Sequence, residues 1–348
     1  MDAADLLTEK KYYNALAIAL LGDMPAVRKL RGRFSDWRQA WSKLGKSVDP
    51  ENAWEDLARN GIELIFQEEQ KFPKFLREAP DAPVAVYCRG SLRSMEPAIA
   101  IVGTRKATGQ AKELAKRFGN ELAKAGMAII SGLALGIDAA AHEGALSAGG
   151  YTIAVLANSL ESIYPKQNEG LAKKILDSGG ALVSEYPIGS ETLRYRFLER
   201  NRIVSGMANA TLVIEAPERS GSLVTANMAL EQNREVFVLP GPVQHPNYLG
   251  SHSLIRAGAR LVTKPQEILE DLGIELAAAE NAAAAERTNL SLPESAILQA
   301  VSSESRGISV DKIQEMTKMS VLDLSRHLTF LEIKGLIKEE SGRYLICS

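Results

Sequence analysis

The chain has 348 residues, 45% hydrophobic and 24% charged, enough for two or three domains around a sizeable core. Its 41 Lys and Arg against 43 Asp and Glu leave a net charge of −2. That balance excludes a uniformly basic protein that coats nucleic acid, so any nucleic-acid surface must be a local patch. The two cysteines, Cys88 and Cys347, form no CxxC pair, and the four histidines have no metal-ligand spacing. A disulfide framework and a metal centre are therefore not expected, and a reducing, cytoplasmic setting is.

The first stretch, MDAADLLTEKKYYNALAIALLGD, places acids before an apolar run too short to span a bilayer, so neither a signal peptide nor a membrane segment is expected. Apolar residues then recur at helical spacing in YYNALAIALL and FSDWRQAWSKLG, with Gly22, Gly32 and Gly45 as breaks. Residues 1–60 are predicted to form a small helical domain of the SAM or helix-hairpin-helix kind. A packing module and a contact to DNA backbone both remain open for it. Residues 61–96, with strand-like GIELIF and PVAVYCRG among prolines, read as a connecting segment.

From 97 to 272 the pattern changes. Short apolar runs bounded by glycine (AIAIVG, MAIISG, YTIAVLA, ALVSE, ATLVIEA, EVFVLPG, ARLVT) alternate with helical stretches. Unbroken apolar strands mark a parallel sheet buried on both faces, and the alternation predicts an α/β, Rossmann-like, doubly wound domain. Residues 273–292 are Ala/Glu-rich and read as a linker. Residues 293–348 read as helix, helix, longer helix and hairpin, a winged-helix-like domain with Ser320 as an N-cap.

Candidate chemistry falls at the carboxyl ends of the predicted strands, where such sheets bind ligands. GTRKATG (103–109) is neither a dinucleotide fingerprint nor a Walker A loop. A helix N-terminus with Thr104 and Arg105 beside it still suits an anion. In SGLALGIDAAAH, Asp138 and His142 are four apart on one helix face; a catalytic pair and a structural hydrogen bond are both compatible with that spacing. SIYPKQNEG offers Lys166. RYRFLERNRI (194–203) is the densest cationic run, with Arg194, Arg196, Arg200 and Arg202 standing against Glu199 and interleaved with Tyr195 and Phe197. Arginines among aromatics suit a single-stranded groove, where charge follows phosphates and rings stack bases. ERSGSLVTANMALE adds Ser222 and Thr225 at another helix start, a natural second anion pocket.

Seven of these stretches, in order, resemble the DNA-processing protein A (DprA/Smf) family: IVGTRKATG, SGLALGIDAAAHEGAL, TIAVL…YPKQN, LVSEYP, RFLERNRIVSG, VIEAPERSGSLVTANMAL and VFVLPGPV…GSHSLIRAGARLV. The resemblance implies a non-enzymatic, cofactor-free single-stranded DNA-binding protein. Such proteins protect incoming DNA and load the RecA recombinase in natural transformation, acting as homodimers. It implies DNA contacts at Gly103, Thr104, Arg105, Lys166, Phe197, Arg200 and Arg202. Arg196, Ser222 and Thr225 join them on physical grounds. The sequence departs from the family pattern at Thr104 (usually Ser), Leu135 (usually Arg), Ala157 and Ser159 (usually Gly) and His252 (usually Asn), so one cationic contact is missing. The alternative is a nucleotide-binding enzyme like the lysine-decarboxylase-like phosphoribohydrolases. Their PGGxGTxxE loop has no counterpart in ERSGSLVTANMALE. A third reading makes the flanking domains the working parts. Residues 290–348 carry 7 basic and 8 acidic residues, which favours protein over DNA as the tail's partner.

Overall fold

The computed structural model describes residues 3–93, 96–274, 292–302, 307–333, 337–340 and 342–346. The predicted linker 273–292 thus falls almost wholly outside the described residues. The chain divides into two compact units, Met1–Glu275 and Leu276–Ser348. No described helix is long and apolar enough to cross a membrane.

In the first unit, four helices, α1 (Ala3–Ala19), α2 (Met24–Leu30), α3 (Trp37–Leu44) and α4 (Pro50–Arg59), precede the first strand. Asp23, Asp36 and Asp49 cap α2, α3 and α4 by accepting main-chain N–H groups. The sheet then runs through β1 (Ile62–Phe66), α5 (Lys74–Glu78), β2 (Ala85–Gly90), β3 (Ala98–Val102), α6 (Gly109–Lys124), β4 (Ala128–Ser131), α7 (Ile137–Ser147) and β5 (Thr152–Leu156). It continues through α8 (Glu169–Asp177), β6 (Ala181–Ser184), α9 (Arg194–Gly206), β7 (Ala210–Val213), α10 (Gly221–Glu231), β8 (Glu235–Val238), α11 (Leu249–Arg256), β9 (Arg260–Leu261) and α12 (Pro265–Asp271).

Among the described residues the sheet has nine strands in the order β1-β2-β6-β5-β4-β3-β7-β8-β9. β3 to β9 are parallel, in the positions the apolar runs predict; β1 and β2 join antiparallel at one edge. The stretch 61–96 is therefore no mere connector: its two strands extend the sheet. Chain order reverses at β3 and β7, which lie side by side, and this is where a doubly wound sheet opens a crevice.

Helices cover both faces. On one, Ile203 and Val204 of α9, Met207 just after it, and Ala226 and Ala229 of α10 pack on Ala100, Val102, Ile153 and Val155. On the other, Ala111, Ala115 and Phe118 of α6 pack on Ile99, Ile101 and Ile129. Farther along that face, Tyr13, Met24, Val27 and Leu57 share one cluster with Leu64, Phe66, Tyr87, Leu156 and Leu182. The N-terminal helices and the sheet thus have a common core.

The second unit comprises α13 (Leu292–Ser302), β10 (Ile308–Ser309), α14 (Val310–Thr317), α15 (Val321–Ile333), β11 (Ile337–Glu340) and β12 (Arg343–Ile346), with strands in the order β10-β12-β11, all antiparallel. Ile297, Ile308, Ile313, Leu324, Leu328 and Ile337 form its core. Ser320 Oγ accepts the Asp323 N–H at 3.2 Å, the predicted cap. This is the winged-helix arrangement expected from the sequence.

Candidate nucleic-acid interface

A cleft of about 660 Å³ lies beyond the carboxyl ends of β3, β4 and β7, at the point where strand order reverses. One wall is the turn after β3. A Cβ on Gly103 would stand 2.4 Å from Ile137 Cγ1, so only glycine lets α7 approach the strand end. Thr104 N–H donates to the Glu215 carbonyl at 2.7 Å, tying this turn to the end of β7. Thr104 Oγ1 accepts the Lys106 N–H at 3.2 Å, and Arg105 and Lys106 are left exposed on the cleft.

The anion gripped at the start of α6 is internal. Thr108 caps that helix, and both its N–H and its hydroxyl donate to the buried Glu215 carboxylate at 3.0 Å. Asn247 donates to the other Glu215 oxygen. The phosphate-gripping turn of the sequence reading therefore carries its own carboxylate inside and offers a ligand the side chains of Arg105 and Lys106.

The opposite wall is α9. Phe197, Arg200, Asn201 and Val204 recur at helical spacing and face the cleft. The Arg105 guanidinium lies over the Phe197 ring, 4.8 Å from its centroid, and the Tyr164 ring meets Phe197 edge-on at 5.6 Å. Both arrangements are favourable for a ring whose face is electron-rich. The floor on the far side is the start of α10. Ser220 caps it, its hydroxyl 2.7 Å from that of Ser222, and Ser222 and Thr225 line the cleft as predicted.

The arginines of the cationic run divide by role. Arg196 and Arg202 do not reach the cleft. Arg196 donates to the carbonyls of Glu191, Leu21 and Gly22 and lies over the Tyr186 ring at 4.6 Å. Arg202 pairs with the buried Glu185 and donates to the Asp81 carbonyl. A helix carrying charge on every face must bury some of it once both its sides are covered, and these two arginines hold α9 to neighbouring segments. Arg200 borders the cleft but is only 4% exposed. It donates to the Gly132 carbonyl at 2.6 Å and to the Val155 carbonyl, and burial lowers its pKa to about 10. Its role here is to brace the loop after β4.

Asp138 completes that brace. One of its oxygens accepts the N–H groups of Gly132 at 3.1 Å and Ala134 at 3.3 Å. Burial raises its pKa, and the charge of Arg200 opposes the rise. His142 points elsewhere, into the core, with Nδ1 2.7 Å from Thr152 Oγ1. The two residues share a helix but not a hydrogen bond, and each is held by its own partners.

Lys166 is exposed in a short turn two residues after Tyr164 and is not part of the cleft lining. Arg194 of the cationic run lines the cleft, together with Tyr164 and Arg219, which the motifs do not single out. Arg194 opens the cationic run, and Arg219 follows the β7 strand within ERSGSLVTANMALE. Tyr164 carried no signal of its own.

The profile of the family described as DNA recombination-mediator protein A matches residues 63–273, well over half of the chain. The chain belongs to this family. A second profile, the DprA winged helix domain, matches residues 280–343. Protein Smf of Escherichia coli (strain K12) is 40% identical over 306 residues, covering 86% of this chain and 81% of that protein. The DNA processing protein DprA of Streptococcus pneumoniae (strain ATCC BAA-255 / R6) is 39% identical over 256 residues, covering 66% of this chain and 90% of that protein. Two solved structures of the family share the fold. DprA from Streptococcus pneumoniae superposes with a TM-score of 0.61 at 32% identity, covering 76% of this chain and 93% of that one. DNA processing protein A from Helicobacter pylori, a structure described for its single-stranded DNA binding mode, gives 0.55 at 31% identity, covering 61% of this chain and 95% of that one.

Proposed function

We propose that this chain binds single-stranded DNA in the cleft beyond β3 and β7 without catalysing a reaction on it. In this reading it protects incoming DNA and loads the RecA recombinase in natural transformation and recombination, as a homodimer in the cytoplasm. The observation that carries the reading is the stack of Arg105 on Phe197 with Tyr164 at its edge. It sets a phosphate-pairing fork beside two aromatic rings, in a cleft that Lys106, Arg194 and Arg219 also line. Sequence-independent strand binding needs this combination, because every base has a π-face and every nucleotide a phosphate. The DNA-binding relative from Helicobacter pylori supports it. In this reading Gly103, Thr104, Ser222 and Thr225 shape the pocket around the strand, and Lys166, exposed two residues after Tyr164, meets a strand leaving past that ring.

The hydrolytic alternative would use Asp138 as its acid. That carboxylate already holds two main-chain N–H groups of the loop after β4. Such an arrangement favours a structural carboxylate over a proton shuttle.

Fluorescence anisotropy with labelled oligo-dT over a salt series is the test, with AMP and duplex competitors. For a cleft gripping about four phosphates the logarithmic salt slope should be roughly −3. Phe197→Ala should weaken binding by about 1–3 kcal/mol, the usual worth of a base–aromatic stack. Displacement by millimolar AMP together with indifference to Arg105→Ala would hand the cleft to a free nucleotide. RecA loading is read separately, from whether the protein speeds RecA nucleation on the same oligonucleotide.

A further inference from the structure

A second cationic and aromatic cleft lies on the other edge of the sheet. Arg93 follows β2, which runs antiparallel to β6, so it sits at the amino ends of the parallel strands. Glu96 precedes β3, Tyr151 precedes β5 and Arg234 precedes β8, at the same edge. There Lys71, Lys74, Arg77 and Arg93 line a cleft of about 490 Å³ with Phe75 and Glu96. Four cations and one acid line it, and Arg77 is held in place by the carbonyls of Gln67, Glu69 and Phe72.

Most of the cations at this edge lie over rings. The Arg93 guanidinium lies 4.3 Å from the Tyr151 centroid, and the Tyr151 hydroxyl donates to the Ser91 carbonyl at 2.6 Å, which fixes the ring. Arg234 lies over Phe75 at 4.6 Å and Lys74 over the same ring at 5.8 Å. Among the described residues Arg93 makes no ion pair. Lys71 and Lys74 pair with Glu63 at 3.0 Å and Glu96 at 3.7 Å, with both partners of each pair largely exposed. Exposed pairs of this kind contribute little, so a phosphate can replace either carboxylate at small cost.

We propose that this amino-edge cleft is a second contact for the phosphodiester backbone of a single strand, engaged when the strand is long enough to leave the carboxyl-edge cleft. The inference rests on the single-stranded DNA reading above. A guanidinium held over a ring and free of ion pairs keeps its donor fork for a phosphate, and the rings beside it suit a base. An acidic peptide would match the charge and the fork but would bring no base to stack on the rings, so the combination favours a nucleic acid.

The experiment compares oligo-dT of about six and about thirty nucleotides on the full-length protein, wild type and the double variant Lys74→Ala/Arg93→Ala, with melting checked for both. The expected result is unchanged binding of the short strand, long-strand affinity lowered roughly tenfold, and a long-strand salt slope reduced by about 1.4, the value for two phosphate contacts. Unchanged long-strand affinity and slope would overturn the proposal and leave the cleft to an acidic peptide or to no ligand. Failure of wild type to bind the short strand would instead overturn the reading on which it rests.

Discussion

Arg105 and Arg200 stand a few ångströms from the same cleft and should respond oppositely to removal. Arg105 is exposed and rests on Phe197. Arg105→Ala should change stability by under about 1 kcal/mol while weakening strand binding. Arg200 is buried, and its loss would orphan the Gly132 and Val155 carbonyls and leave Asp138 without its counter-charge. Arg200→Ala should destabilise the fold by about 3–5 kcal/mol, read from urea midpoints. Equal stability of the two variants would contradict this division. The same pair marks the limit of what the sequence disclosed. The cationic run was legible as a functional region, and Phe197 was legible within it. Which arginines turn inward was not, because a helix covered on both sides hides some of its charge, and only the packing of α9 decides which.

At the scale of elements, α7 is pinned to the sheet through one neutral histidine. The Thr152 hydroxyl donates to the Ile129 carbonyl at 2.7 Å, so its oxygen must accept from His142, which places the proton on Nδ1. Burial lowers the His142 pKa from 6.5 to about 3. The unfolded chain therefore takes up a proton near pH 6.5 that the folded chain refuses, and stability falls as pH drops through that window. The slope from this group approaches about 1.4 kcal/mol per pH unit. His142→Gln should cost stability at pH 7, and the gap to wild type should narrow between pH 6.5 and 4. Parallel stability curves in urea would exclude the linkage. The helical spacing of Asp138 and His142 was plain in the sequence; their separate partners were not, since Asp138 turns back to the loop after β4 and His142 reaches Thr152 of β5, whose register no local pattern specifies. The parallel strands themselves were readable, because a strand buried on both faces must be apolar throughout. β1 and β2 were recognised as strands, but nothing local tells an edge hairpin from a connector.

At the scale of the whole molecule, the N-terminal helices and the sheet behave as one folding unit. Tyr13, Met24, Val27 and Leu57 cover Leu64, Phe66, Tyr87 and Leu182. Deleting residues 1–60 should expose that apolar face and yield an aggregating or poorly soluble product. A monodisperse fragment 61–348 melting at the full-length temperature would mean that the helices are an independent module, as their sequence alone suggests.

The shared core also decides what light can report. All three tryptophans, Trp37, Trp41 and Trp54, belong to the N-terminal helices. Trp37 meets Tyr13 edge-on at 5.0 Å, and Trp41 lies 5.2 Å from Tyr12. None of them lines the cleft at the carboxyl edge. Intrinsic tryptophan emission is therefore a gauge of the layer that closes the sheet and is blind to the rings that face a ligand. A spectral change on adding a strand would register a shift of that layer, a motion no occupant of the cleft produces by contact alone.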